Sequence, residues 1–249
     1  MRFVKRPSLD AGVLEYLEKR QGDADKKTSA GKLIPDNHWN SSQKTAKIRA
    51  VRQVLGKMAG SSEGCMYCSD SHGSDIEHFW PKTPFPARMY SWPNLLLCCT
   101  PCGRLKLDRF PLNNGDPLLI DPSVDDPWAH LDYDVNLGIL TAKYNRELGK
   151  PSEKGRETVE LLHLDKRERI ENQYRKNWKR LVKVANAHLQ SEPIDLEGLM
   201  KELHENDDHG LLGWCISDNG VKEVPFDALW KAAPDVLNQL RESHFNVKP

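Results

Sequence analysis

Two Cys-x-x-Cys pairs, Cys65/Cys68 and Cys99/Cys102, bracket the segment Ile76-Glu77-His78-Phe79-Trp80-Pro81-Lys82. Two such knuckles offer four thiolates to one tetrahedral Zn²⁺. A four-cysteine set leaves no coordination position open, which makes the ion structural. Neither a disulfide nor four reduced core cysteines accounts for the doubled two-residue spacing. The staple would hold together the ends of a span carrying Glu77, His78 and Asn94. A carboxylate, an imidazole and an amide held in this way point to hydrolysis of phosphodiesters. Neutral imidazole near pH 7 accepts a proton from water, so His78 is the candidate general base. Glu77 is a hard oxygen ligand suited to Mg²⁺ or Mn²⁺, an ion that would act as Lewis acid and orienter. Asp75, two residues earlier on the same strand face, is a second candidate for that ion.

These residues need elements to position them. Residues 75–79 and 92–98 read as short strands, separated by a loop holding Pro81, Pro84 and Pro86. A short helix is expected from about Thr100 through Lys106, with Pro101 in its first turn. Strand, loop, strand and helix make an α+β core over residues 61–113. Ahead of it, in a helical segment 1–60, residues 9–20 read as a helix, 21–42 as a loop and 42–58 as an amphipathic helix on Ile48, Val51, Val54 and Leu55. Behind it, residues 114–249 read as an extended patch over 131–140 with a turn at Asn136-Leu137-Gly138, then helices at 152–162, 165–189, 195–204 and 226–240. The whole is a zinc-stapled core embedded in a mainly helical chain. Cys98 reads as a buried strand residue, and Trp80, Tyr90 and Trp92 as core filling. His72 reads as loop surface, and His130, His163, His188, His204, His209 and His244 carry no motif.

The chain has 249 residues, enough for one sizeable domain or two small ones. No run of about 18 uncharged apolar residues exists, so no membrane span is expected. The N-terminus has basic residues without an apolar stretch after them, which does not make a signal peptide. A cytoplasmic protein is expected. Net charge is zero, yet residues 141–183 hold thirteen Lys/Arg against seven Asp/Glu, and residues 184–249 hold five against twelve. A neutral chain so divided can still turn a basic face to phosphates, although charge runs equally make solvated helix faces. Lys82, Lys106 and Arg109 are candidate contacts to a nucleic-acid backbone.

Cys65-Met-Tyr-Cys68, the Ile76–Lys82 segment, Tyr90-Ser-Trp-Pro-Asn94-Leu-Leu-Leu-Cys98 and Cys99-Thr-Pro-Cys102 resemble the HNH endonucleases of the ββα-metal class. With Lys106 to Pro111 and Leu118 to Pro127 added, the nearer resemblance is to the retron- and Septu-associated (PtuB-like) HNH nucleases of antiphage defence. It covers about residues 45–170. The resemblance implies cleavage of DNA or RNA, with His78 as base, Glu77 holding the catalytic ion and Asn94 bracing the connecting loop. It also implies an SMC/ABC-like ATPase as partner. One position departs from the family: the residue after the last zinc cysteine, usually an Asn or His that supplies the second metal ligand, is Gly103. Three consequences stay open. Water takes the place, or Asp75 or Asp108 does, or the chain is a zinc-organised module that binds nucleic acid or a partner and cuts weakly or not at all.

Overall fold

The structure is a computed structural model that describes residues 1–60, 62–191 and 193–245, the side chains of 237 and 243–245 excepted. Ser61, where the core was expected to begin, and the side chain of His244 lie outside the described residues. The chain forms two compact units, Val4–Pro117 and Leu118–Pro249 with Met1–Phe3.

In the first unit, Asp10 opens α1 (Ala11–Ser29) by accepting the Gly12 N–H on its carboxylate, and Val13, Leu17 and Ala24 face inward. The segment expected as a loop is therefore mostly helical. Helix α1 runs nine residues beyond Arg20, and α2 (Pro35–Gln43) follows with Pro35 in its first turn. Helix α2 buries His38, Trp39 and Ser42, polar residues apart from the tryptophan, because the Tyr90 hydroxyl bonds to His38 Nδ1 and to Ser42 Oγ, each at 2.9 Å. Thr45 caps α3 (Ala46–Met58), whose Ile48, Val51 and Leu55 are buried.

Strands β1 (Asp75–His78) and β2 (Leu95–Cys98) pair antiparallel, with Asp75 opposite Cys98 and His78 opposite Leu95. All four β2 residues are buried, as a strand covered on both faces must be. Helix α4 (Thr100–Lys106) starts one residue after Cys99 with Pro101 in its first turn. A minimal hairpin of β3 (Leu112–Asn113) and β4 (Asp116–Pro117) completes this unit.

The second unit opens on the hairpin β5 (Leu131–Asp134) and β6 (Ile139–Ala142), turned at Gly138 with φ 73°. The short pair β7 (Tyr144–Asn145) and β8 (Lys150–Pro151) follows. Helix α5 (Glu153–Leu162) is capped by Ser152 and packs so close to the hairpin that a Cβ on Gly155 would meet His130 O at 2.0 Å. Then come α6 (Glu168–Leu189), α7 (Leu196–Glu205) capped by Asp195, and α8 (Leu211–Cys215). The single helix expected over 226–240 is two, α9 (Phe226–Ala232) and α10 (Pro234–Phe245), because Pro234 lacks the N–H that a continuous helix needs. On the basic helix α6, Arg175 pairs with Glu171 and Arg180 with Asp208. No described helix is long and apolar enough to cross a membrane.

Candidate active site

The α4 end of the β1–β2 pair carries the metal cluster. The Sγ atoms of Cys65, Cys68, Cys99 and Cys102 lie within 4.8 Å of one another, and all four residues are buried. Unpaired thiols so crowded cannot behave alike. Sulfur hydrogen bonds from Cys102 and Cys65 hold Cys68 down to about 7, while burial pushes the Cys65 thiol well up. Four thiolates could share so small a volume only around a cation, and the donor set, number and burial suit Zn²⁺. Cys98 is outside the cluster, its thiol directed at the Cys99 carbonyl at 3.3 Å.

A cleft of about 650 Å³ opens beside β1. Glu77, His78, Lys82, Gly103, Asp108 and Arg109 all line it. His78 is buried, with its ring edge against Trp39 at a centroid distance of 4.4 Å. Its Nε2 lies 3.0 Å from the carbonyl oxygen of Met89. A carbonyl only accepts, so Nε2 carries the hydrogen and the lone pair sits on Nδ1. Asn94, also buried, fixes the loop bearing Met89. Its Oδ1 accepts from Trp80 N at 2.7 Å, and its Nδ2 donates to Trp80 O at 3.1 Å and to Arg88 O at 2.9 Å. Asn94 thus clamps the residue before the one that orients His78.

Burial, helped by the charges of Lys82 and Lys106, pushes the His78 pKa down to about 3 against the Met89 bond. The imidazole is neutral at physiological pH and free to accept. A phosphate entering the cleft would raise its basicity by offsetting those cations. Because the folded value lies below the ordinary 6.5, the unfolded chain takes up the proton first. The stability this group contributes is complete above about pH 6.5 and is lost as pH falls from there toward 3, at about 1.4 kcal/mol per pH unit. Thermal melts from about pH 7.5 to about pH 4 are expected to decline less steeply for His78→Gln than for the wild type. Acid release of an ion held by the four cysteines would be common to both proteins, so parallel curves would remove the assignment.

Glu77 lies on β1 with Lys106 against it. Lys106 Nζ donates to Glu77 Oε1 at 2.8 Å and to the His78 carbonyl at 2.7 Å, and the lysine is wholly buried. Expected as a backbone contact to nucleic acid, Lys106 instead spends its ammonium inside the fold, where no phosphate reaches it. Burial raises the Glu77 pKa, and Lys106 works against that rise. The other two basic candidates stand in the cleft. Lys82 pairs with Asp36 at 3.0 Å, and exposed Arg109 has no side-chain partner among the described residues.

For a hard divalent ion the donors are few. Asp75 turns away: its Oδ2 accepts from Ser74 Oγ at 2.7 Å and from Thr100 Oγ1 at 3.2 Å, and it does not line the cleft. Asp108 does line it. Gly103 is not enforced by space, since a Cβ there would meet Glu77 Oε2 at 3.6 Å and Cys98 Sγ at 3.9 Å, ordinary contact distances. The carboxylates that line the cleft are Glu77, Asp108 and Asp36, the last with its Oδ1 paired to Lys82.

Sequence reasoning missed Met89 and the α2 residues Asp36, Trp39, Asn40 and Gln43, which form one wall of the cleft. Met89 acts through its carbonyl and leaves no side-chain signal. Helix α2 announces itself only by Pro35.

No family model matches the chain. Over 121 residues, 47% of its length, it is 30% identical to the Septu protein PtuB of Bacillus thuringiensis, and the match spans 42% of that protein. The chain is a distant relative of that protein, matched over less than half of either.

Proposed function

We propose that this chain is an HNH-type nuclease that hydrolyses phosphodiester bonds in DNA or RNA as an effector of antiphage defence. The observation that carries the reading is the His78 ring, tautomer-fixed by Met89, beside Glu77 in an open cleft with Arg109 and Lys82 at hand. His78 Nδ1 takes the proton of an attacking water, and the Nε2–H bond to Met89 O stabilises the imidazolium as it forms. Arg109 and Lys82 hold the phosphate. Asn94 keeps the loop and therefore the ring in place. Glu77 Oε2 would hold Mg²⁺ or Mn²⁺, an ion that supplies charge neutralisation and Lewis acidity at the leaving oxygen. Zn²⁺ on the four cysteines has no part in the chemistry beyond fixing β1 against α4. The likeness to the Septu protein supports the defence setting and a partner protein, which we propose is an SMC/ABC-like ATPase acting on this chain in the cytoplasm.

A second reading is a zinc-organised binding module that does not cut. Gly103 favours it, because no side chain there can supply a second ligand beside Glu77. The two separate in one experiment. Purified protein, alone and with any ATPase encoded beside it, is incubated with plasmid DNA and total RNA in Mg²⁺, Mn²⁺ or EDTA. Cleavage that requires the divalent ion and drops about 10²- to 10⁴-fold in His78→Ala, at unchanged zinc content, is the expected outcome. Zinc-loaded, folded protein that binds nucleic acid and never cuts it would leave the binding module.

A further inference from the structure

Helix α2 belongs to neither the zinc staple nor the strand pair, yet it walls the candidate site. Asp36, Asn40 and Gln43 fall at i, i+4 and i+7, one stripe of the helix, and all three line the cleft with Glu77 and His78. The neighbouring face is buried through His38, Trp39 and Ser42. Two contacts fix the helix to the site: Trp39 against the His78 ring, and Asp36 paired with Lys82. The wall is therefore held beside the candidate base. Along it, Asn40 and Gln43 are exposed, and neither side chain makes a hydrogen bond among the described residues. Two carboxamides one turn apart, each with a free donor and a free acceptor, are not phosphate binders of the Arg or Lys kind. They match the paired donor and acceptor edges of bases, adenine above all.

We infer that α2 is a base-reading wall, in which Asn40 and Gln43 select the bases beside the phosphate attacked by the water that His78 activates. This rests on the nuclease reading and adds a substrate preference to it: cutting is biased by the nucleotides flanking the scissile bond, with adenine favoured. Phosphate held by Arg109 and Lys82 fixes position and carries no sequence information, and Asn40 and Gln43 offer amide groups that can read base edges.

The test is a randomised-sequence pool, as DNA and as RNA, cut by wild type, Asn40→Ala, Gln43→Ala and Gln43→Glu, with the cut ends sequenced. A parallel binding selection on the same pool uses His78→Ala protein with each substitution added. Wild type is expected to enrich adenine within about two nucleotides of the cut. Each alanine should flatten that enrichment about tenfold. Gln43→Glu keeps the shape and loses the donor, so the preference should move toward cytosine, a change that a merely structural residue would not produce. Cutting without flanking bias, or bias unchanged in the Asn40→Ala and Gln43→Ala proteins, overturns the inference while the nuclease reading stands. Binding with amide-dependent base preference but no cutting keeps α2 as a base-reading wall and removes the nuclease, with the cutting bias that rests on it. Neither binding nor cutting overturns both.

Discussion

Stripped of zinc by a strong chelator, or carrying Cys99→Ser, the protein is expected to lose the folded Val4–Pro117 unit rather than merely loosen it. Structural zinc contributes about 10–16 kcal/mol in small four-ligand sites, against about 5–15 kcal/mol for the whole stability of an ordinary domain. Here the four ligands come from both sides of the strand pair. Cys65 and Cys68 precede β1, Cys99 follows β2 and Cys102 lies within α4. Without the ion, the four buried sulfurs, all within 4.8 Å of one another, take up protons and nothing ties the segments that carry them together. The hydrophobic packing of Leu95, Leu96 and Leu97 and the helices around them adds stability, but it does not replace the cross-link between the two cysteine pairs. Far-ultraviolet circular dichroism and zinc content, followed together through a chelator titration, check this. Cys98→Ala is the control, expected to keep its zinc because Cys98 is not in the cluster. A chelated protein that melts where the zinc-loaded one does would end the structural-zinc assignment.

The parts of the fold written in local chemistry were readable from the sequence. The cysteine spacing located the four-cysteine cluster, Pro101 marked the start of α4, and the helices expected at 152–162 and 195–204 are α5 and α7. Strand positions β1 and β2 came within a few residues, because Leu95 to Cys98 is an apolar run bounded by proline. What failed did so for reasons of tertiary structure. The second half of α1 buries only Ala24, so its composition looks like a loop although it stays helical. Helix α2 buries a histidine and a serine, which no hydrophobic period reveals; the Tyr90 hydroxyl that satisfies them is about fifty residues away. The same blindness applies to the site. His78, Glu77 and Asn94 could be named, but the Met89 carbonyl, the α2 amides and the buried ammonium of Lys106 exist only once the chain is folded.

Replacing Lys106 by methionine is expected to cost about 3–5 kcal/mol of stability and to weaken the divalent-ion binding proposed at Glu77. A buried ammonium is expensive to desolvate, and this one is offset by two bonds, to Glu77 Oε1 and to the His78 carbonyl. Its neighbour Phe110, with the ring centroid 5.8 Å from Nζ, adds a weak attraction. Methionine fills the volume but removes both donors, so the His78 carbonyl goes unsatisfied and Glu77 is left as a lone carboxylate whose burial already raises its pKa. Loss of the ammonium shifts Glu77 further toward its protonated form, which does not hold Mg²⁺ or Mn²⁺. Lys106→Arg keeps the charge and is expected to retain part of the binding, which separates loss of charge from loss of packing. The effect of Gly103 runs the other way. Since a Cβ there sits 3.6 Å from Glu77 Oε2, Gly103→Asn places an amide oxygen within reach of the same ion without a clash. Mn²⁺ titrations followed by electron paramagnetic resonance should therefore rank Gly103→Asn tightest, then wild type, Lys106→Arg and Lys106→Met. If Lys106→Met bound Mn²⁺ as tightly as wild type, the ammonium would not be what keeps Glu77 ionised, and the ligand would have to be sought at Asp36 or Asp108, the other carboxylates lining the cleft.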